Sequence, residues 1–514
     1  MAGAALWDDE YDVVVVGSGA GAMTGALAAA SAGLRTAVLE RTPLLGGTSA
    51  YSGSAAWLPG SQVQARARAG IGDSTESARV YLRALLGEGT ARRREAFLET
   101  APKVVEFLER NPAIEFEWRA FPDYFDAPGR MDAGRSFVPL DLPADRLGDL
   151  ARLVRPSVDR DRAGQSHPAG PLSAGRALIG RLLLALAGTG NGVVRTGTRM
   201  TRLIVEDGRV TGVEAETDAG RVRIRALLGV LMAAGGFEGN GAMREEHGVP
   251  GAAAWTMAPR GTNAGEPILA AVEIGAATDL MDQAWWCPGV EQPDGAAAFT
   301  LGFRGGLMVD ASGARFANES LPYDRMGRQM AAAAGRVPAY LVFDSRFGGD
   351  LPAISLPGCP PQEHLEAGTW VRAETVGELA ERLGLPRENL TATLERFNGF
   401  AAGGVDEDFH RGEDPYDLFF ADRSHGPNPC LVPVDRPPYY AARVVLSDLG
   451  TKGGLRTDVD GRVLDGEDRP IPGLYAAGNT SASFAGHHYP GPGIPIGSAM
   501  VFSYRAVLDM AAAR

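Results

Sequence analysis

Three places in this sequence carry residue types and spacings that could do chemistry. The first is the run Ala485-Gly486-His487-His488-Tyr489-Pro490-Gly491-Pro492-Gly493-Ile494-Pro495-Ile496-Gly497. So much glycine and proline cannot be the interior of a helix or strand, because glycine loses too much freedom there and proline lacks a donor. The run reads as a shaped loop in which one aromatic hydroxyl, Tyr489, stands beside glycines whose backbone N–H groups a ligand can approach. The second is Arg315-Phe316-Ala317-Asn318-Glu319-Ser320-Leu321-Pro322-Tyr323, which puts another isolated tyrosine in a loop after an apparent strand at 306–309. The third is Gly17-Ser18-Gly19, with Ala22 three residues on. Gly17 permits a tight turn, Gly19 exposes backbone N–H groups to a pyrophosphate at a helix N-terminus, and Ala22 allows close packing.

The elements around Gly17 support that reading. Residues 11–40 read as strand, glycine turn, alanine-rich helix and second strand, closed by Glu40 where dinucleotide folds grip a ribose hydroxyl. Arg41 follows it. Gly46-Gly47-Thr48-Ser49 and Ser52-Gly53-Ser54 then supply small residues and hydroxyls where a flavin's phosphate and ring must be approached. This continuation resembles the two-dinucleotide-binding flavoproteins, which implies FAD rather than NAD. A buried strand ending at Ala233-Ala234-Gly235-Gly236 suits another edge of the cofactor site, and the 474–478 strand brings Gly478 and Asn479 to a third.

At 514 residues, 45% hydrophobic and 22% charged, the chain predicts two or more globular domains. The fold class is α/β: a Rossmann-like FAD-binding domain over 1–280 and 442–514, with an inserted α+β catalytic domain over 281–441. Residues 73–110 read as helices, 120–125 as a loop, 128–175 as irregular and 176–188 as an apolar helix. The alternation over 193–226 predicts hairpins of a small antiparallel sheet beside the nucleotide domain. A helix is expected over 375–402, and a closing amphipathic helix over 498–513. Gly134-Arg135-Ser136 has no evident reading.

The net charge of −13 argues against a nucleic-acid partner, which would need a basic face. Cys287, Cys359 and Cys430 are scattered and lack metal-ligand spacing, which predicts no metal and fits a reducing compartment. With no leader pattern before Tyr11 and no apolar run near the ~20 residues of a membrane span, the chain reads as cytoplasmic. Contact with a membrane could then only be peripheral, and oligomeric state is not legible.

The stretches Gly46-Gly47-Thr48-Ser49-Ala50-Tyr51-Ser52-Gly53, Phe121-Pro122-Asp123-Tyr124, Asn318-Glu319-Ser320-Leu321-Pro322-Tyr323, Asp448-Leu449-Gly450-Thr451-Lys452-Gly453-Gly454-Leu455 and the 477–493 run resemble, in order, the blocks of the 3-ketosteroid Δ1-dehydrogenases. The resemblance covers nearly the whole chain. It implies removal of two hydrogens from C1 and C2 of a 3-oxosteroid, with hydride passing to the flavin N5. In the matching positions, the Tyr489 hydroxyl and the Gly493 N–H face the C3 carbonyl, Tyr323 takes the C2 proton, and Tyr124 supports Tyr323. Ile496 falls with the FAD contacts. The family gives no acid–base role to His487 or His488, so these read as pocket lining or structural. A quinone-like or other electron acceptor is implied, since a second NAD motif is missing.

Two departures stand out: Ile494-Pro495 after Gly493, and Leu446-Ser447 before Asp448. The first could reshape the pocket toward another steroid or a related 3-oxo terpenoid. A 3-ketosteroid Δ4-(5α)-dehydrogenase is the nearest rival reading. A fumarate-reductase-like ene reductase would need converging arginines, and none lies between Gly478 and Met500. A flavin-binding module without catalysis would bind FAD that no steroid bleaches.

Overall fold

The first apolar run forms β1 (Asp9–Val16), whose residues Val13, Val14 and Val15 are fully buried between two parallel neighbours. The fold comes from a computed structural model that describes residues 7–67, 72–168 and 170–514. Residues 1–6, the start of the segment read as lacking a leader, lie outside the described residues, as does 169 within the stretch expected to be irregular.

β1 leads through Gly17 into α1 (Ala20–Ser31), then β2 (Thr36–Leu39) and the short α2 (Gly47–Tyr51). β2 lies parallel to β1, with Val13 opposite Thr36. On the other side runs β3 (Gly220–Met232), with Val16 opposite Met232. The sheet extends past β2 to Gly192–Arg195 and past β3 to β4 (Pro470–Ala476) and Arg462–Leu464.

The expected hairpins exist, Arg199–Glu206 against Arg209–Thr217 and the latter against β3, but they are not a separate small sheet. β3 is one 13-residue strand that serves both partners. Its first half pairs antiparallel with the hairpin, and its second half lies between β1 and β4. All these strands therefore belong to one eight-stranded sheet.

The closing helix α3 (Ile494–Ala512) begins four residues earlier than the expected 498. Pro495 sits in its first turn, where a missing N–H costs nothing because those donors have no intrahelical partner. The helix is also less amphipathic than expected: Ala499, Met500, Val501, Phe502 and Ser503 are all buried. α1 packs on it through small residues, since a Cβ added at Gly21 would stand 2.8 Å from the Ala499 Cβ.

The 73–110 region forms helices Thr75–Leu86 and Ala91–Glu109, the first opened by a reciprocal Ser74–Ser77 cap. The stretch 128–175 is not wholly irregular. Ser136–Pro139 is the central strand of a three-stranded sheet with Ala56–Trp57 and Phe116–Trp118.

The chain divides into two compact units: Met1–Gly248, Ala258–Gln283 and Gly450–Arg514 form one, and Val249–Met257 with Ala284–Leu449 form the other. The second is built on an antiparallel sheet in the order Leu307–Val309, Ala339–Asp344, Tyr439–Thr451, Ala284–Glu291, Ala297–Leu301, Ile354–Leu356. The expected 375–402 helix is two, Val376–Leu383 and Arg387–Gly403, parted by Gly384 at φ +69° and by Pro386. Both helices bury their apolar faces in one core with Leu307, Val342 and Ala441. Among the described residues no helix is long and apolar enough to cross a membrane.

Candidate active site

The dinucleotide turn is shaped by its neighbours. Gly17 has φ +101°, and a Cβ there would lie 2.4 Å from the Ala233 carbonyl oxygen, so only glycine lets β1 turn beneath the end of β3. Gly19 is the extended N-cap of α1, and its nearest neighbour to an added Cβ is Ser49 Oγ at 3.3 Å. Ser49 Oγ accepts the Ala20 N–H at 3.1 Å. Ser18 Oγ accepts the Gly46 N–H at 2.9 Å and donates to Glu40 Oε2 at 2.5 Å. The other Glu40 oxygen takes the Thr42 N–H and hydroxyl. Ser18, Glu40, Thr42 and Gly46 are thus one hydrogen-bonded network, with Gly17, Gly19 and Ser49 beside it at the turn.

These residues fit FAD on two structural counts. The Thr48 hydroxyl is buried with no hydrogen-bond partner among the described residues, and such an orphan is costly unless a ligand satisfies it. Gly47 and Gly53 have open space where a Cβ would stand, so a flat group can lie against the backbone. Arg41 is directed elsewhere, onto Glu266 at 2.6 Å.

The second rim was only partly read from the sequence. Thr480 Oγ1 accepts the Ala234 N–H at 2.9 Å and donates to the Gly235 carbonyl at 2.8 Å, which ties the end of β3 to the end of β4. Buried Glu238 accepts from Asn263 Nδ2 at 2.5 Å and from the Thr451 N–H and hydroxyl at 3.2 Å each. A Cβ at Gly450 would lie 2.2 Å from Asn479 Nδ2. Thr480, Glu238 and Asn263 lack any motif that singles them out. They meet because the fold brings loops distant in the chain together.

The 485–493 loop is held at nearly every carbonyl. Lys452, fully buried, donates Nζ to the His487 and His488 carbonyls at 3.3 and 3.0 Å. The Pro490 carbonyl takes the Tyr124 N–H at 2.9 Å and the Tyr81 hydroxyl at 2.7 Å. The Pro492 carbonyl takes the Ser136 hydroxyl at 2.5 Å, and the Gly493 carbonyl takes the Trp57 N–H at 3.2 Å and the Gly497 N–H at 2.9 Å. The Gly493 N–H, in contrast, donates to no protein group among the described residues. Gly493 caps α3 at φ +94°, and a Cβ there would meet the Ala55 carbonyl oxygen at 2.3 Å.

Tyr489 and Tyr124 are buried neighbours, ring centroids 5.3 Å apart. Below them, Asp123 accepts Trp57 Nε1 at 2.8 Å and pairs with Arg135 at 3.0 Å, and Arg135 reaches Asp73 at 2.7 Å. Burial lifts the Asp123 carboxyl above its ordinary range, and the Arg135 guanidinium works against that rise. The fully buried Arg135 thus gives the unread Gly134-Arg135-Ser136 run a role: it braces the loop's floor. His487 is exposed, and His488 meets the Phe125 ring edge-on at 5.7 Å.

Tyr323 belongs to the second unit. It is not in a loop but is the first residue of the helix Tyr323–Ala331, capped by Pro322, with its ring edge-on to Phe299 at 5.0 Å. Gly327 lets that helix approach the Ala284–Glu291 strand, since a Cβ would lie 2.7 Å from the Trp286 Cβ. Buried Glu319 joins Arg315 at 2.8 Å and Arg411 at 2.9 Å, and Arg315 also reaches Asp406 at 2.8 Å. Burial alone would raise the Glu319 carboxyl, but the Arg315 and Arg411 guanidiniums outweigh it and hold it below its usual range.

Comparison with known proteins identifies the family. The FAD binding domain family matches residues 12–496. The 3-oxosteroid 1-dehydrogenase of Rhodococcus opacus is 48% identical, over 98% of this chain and 99% of that protein. The 3-ketosteroid delta1-dehydrogenase from Sterolibacterium denitrificans, solved in complex with 1,4-androstadiene-3,17-dione, superposes with a TM-score of 0.89 at 34% identity, covering 98% and 100% of the two chains. The 3-ketosteroid-delta4-(5alpha)-dehydrogenase from Rhodococcus jostii RHA1, in complex with 4-androstene-3,17-dione, reaches 0.70 at 26% identity over 99% and 98%.

Proposed function

The chain belongs to the 3-oxosteroid 1-dehydrogenase family of FAD-binding flavoproteins, and from that premise we propose how its residues remove hydrogen from C1 and C2 of a 3-oxosteroid. It is an FAD-dependent CH–CH oxidoreductase. A C–H beside a ketone gives up its proton readily only when the developing enolate oxygen is stabilised, so two donors must face the C3 carbonyl. The Tyr489 hydroxyl and the Gly493 N–H are that pair. The observation that carries this reading is the Gly493 backbone: its carbonyl is tied down twice, while its N–H meets no protein acceptor among the described residues.

Burial strengthens the pair, because a hydrogen bond to developing charge is worth more away from water. Tyr323 accepts the C2 proton. A phenol's ordinary pKa of about 10 makes it a poor base near neutrality, so it needs a partner for its phenolate. This reading gives the supporting role to Tyr124. FAD, when bound, supplies the acceptor for the hydride that leaves C1. The Gly17–Ala22 turn, residues 46–53, Ala234, Gly235, Gly478 and Asn479 hold the cofactor in this reading, with Ile496 at its edge. Arg41, the other residue assigned to the cofactor, turns its guanidinium to Glu266 instead.

We assign a quinone or comparable oxidant as electron acceptor, because the sequence carries no second NAD motif, and the cytoplasm as location, in keeping with three free cysteines. Anaerobic mixing of the holoenzyme with androst-4-ene-3,17-dione tests the function. Flavin absorbance must bleach as a C1–C2 unsaturated product forms; an unbleached flavin speaks for a non-catalytic binding module.

A further inference from the structure

One buried hydroxyl touches the chain beside both Tyr489 and Tyr124. Tyr81, on the helix Thr75–Leu86, is fully buried. Its Oη donates to the Pro490 carbonyl at 2.7 Å and accepts the Phe125 N–H at 3.1 Å. Pro490 directly follows Tyr489, and Phe125 directly follows Tyr124. We infer that Tyr81 is a positioning residue for the carbonyl-binding pair: through its single hydroxyl it fixes the backbone of Tyr489 against that of Tyr124. This rests on the reading of Tyr489 given above.

A phenol suits the task because it donates once and accepts at the same time. Burial, followed by the negative charge of Asp123, holds the Tyr81 hydroxyl well above the ordinary phenol range, so it remains a protonated donor at any working pH. The ring is fixed independently of the hydroxyl, lying 5.7 Å from the Arg135 guanidinium. Without the hydroxyl, the Pro490 carbonyl keeps the Tyr124 N–H, whereas the bond from the Phe125 N–H to Tyr81 is lost. The loop would then loosen rather than detach. Such slack reaches the chemistry, because a displacement near 1 Å can cost about a hundredfold in rate.

The test is a double-mutant cycle on the holoenzyme with Tyr81→Phe, Tyr489→Phe and the pair, all checked for FAD content. Tyr81→Phe is expected to lower kcat about tenfold while KM changes less than about threefold. In the Tyr489→Phe background the same change should lower kcat less than about twofold, since Tyr81 acts through Tyr489. Near-wild-type kcat in Tyr81→Phe, or an equal loss in both backgrounds, overturns the inference and leaves the reading of Tyr489 intact. Full turnover by Tyr489→Phe instead overturns that reading. Should Tyr81→Phe not retain FAD, amide exchange in the wild-type holoenzyme decides: the Phe125 amide must be strongly protected, and fast exchange there overturns the inference.

Discussion

The rings of Tyr124 and Tyr489 lie with centroids 5.3 Å apart and planes inclined by 35°, both almost wholly buried. Two tyrosine rings are thereby brought together by segments some 365 positions apart, and the Tyr124 N–H binds the carbonyl of the residue after Tyr489. If Tyr489 polarises the substrate carbonyl, Tyr489→Phe should lower kcat about 10²–10³-fold, the usual effect of losing one oxyanion donor. FAD content and steroid affinity should change little. Steady-state kinetics with equilibrium titration checks this.

Tyr323→Phe should keep FAD and steroid binding and still lose about 10²–10⁴-fold in kcat, since it removes the proton acceptor and nothing else. Near-full turnover would take Tyr323 out of this role. Its helix should survive the change, because Phe keeps the edge-on contact with Phe299.

Gly493→Ala places a methyl group 2.3 Å from the Ala55 carbonyl oxygen and a side chain at φ +94°. Backbone strain of this kind costs about 1–3 kcal/mol. The expected outcome is a lowered Tm together with a loss of kcat, because the same shift moves the N–H away from the carbonyl. Calorimetry and kinetics on one preparation measure both.

The Glu319 carboxylate predicts acid sensitivity. Opposed by burial but outweighed by Arg315 and Arg411, its native pKa lies below the ordinary 4.5. The unfolded chain therefore binds the proton first, so the stabilisation is complete above 4.5 and is lost as pH falls through the lower native value. Denaturant midpoints measured across that window should fall on acidification. Glu319→Gln should flatten that fall while costing about 3–5 kcal/mol at neutral pH, because it leaves the buried Arg411 guanidinium without its paired carboxylate and Arg315 with Asp406 alone.

The parts legible in the sequence were those set by local chemistry. Gly17, Gly19 and Glu40 announce a dinucleotide turn because that turn imposes its own backbone requirements, and β4 follows from an apolar run ending in Gly478. Features that depend on distant partners were not legible. β3 reads as two strands because residues 220–226 alternate while 228–232 are continuously apolar, as its change of partners demands. Tyr323 looked like a loop residue because Pro322 precedes it, although proline also caps a helix start. Tyr81 resembles any core aromatic on an amphipathic helix, and only the folded chain shows what its hydroxyl touches.

The most direct test of the central claim is the position of the new double bond. Anaerobic turnover of 5α-androstane-3,17-dione, deuterated at C1 and C2, is followed by mass spectrometry of the product and by flavin absorbance. Dehydrogenation at C1–C2 predicts flavin bleaching and a 1-ene-3-one that has lost one deuterium from each labelled carbon. A 4-ene-3-one with the C1 and C2 label retained would contradict it.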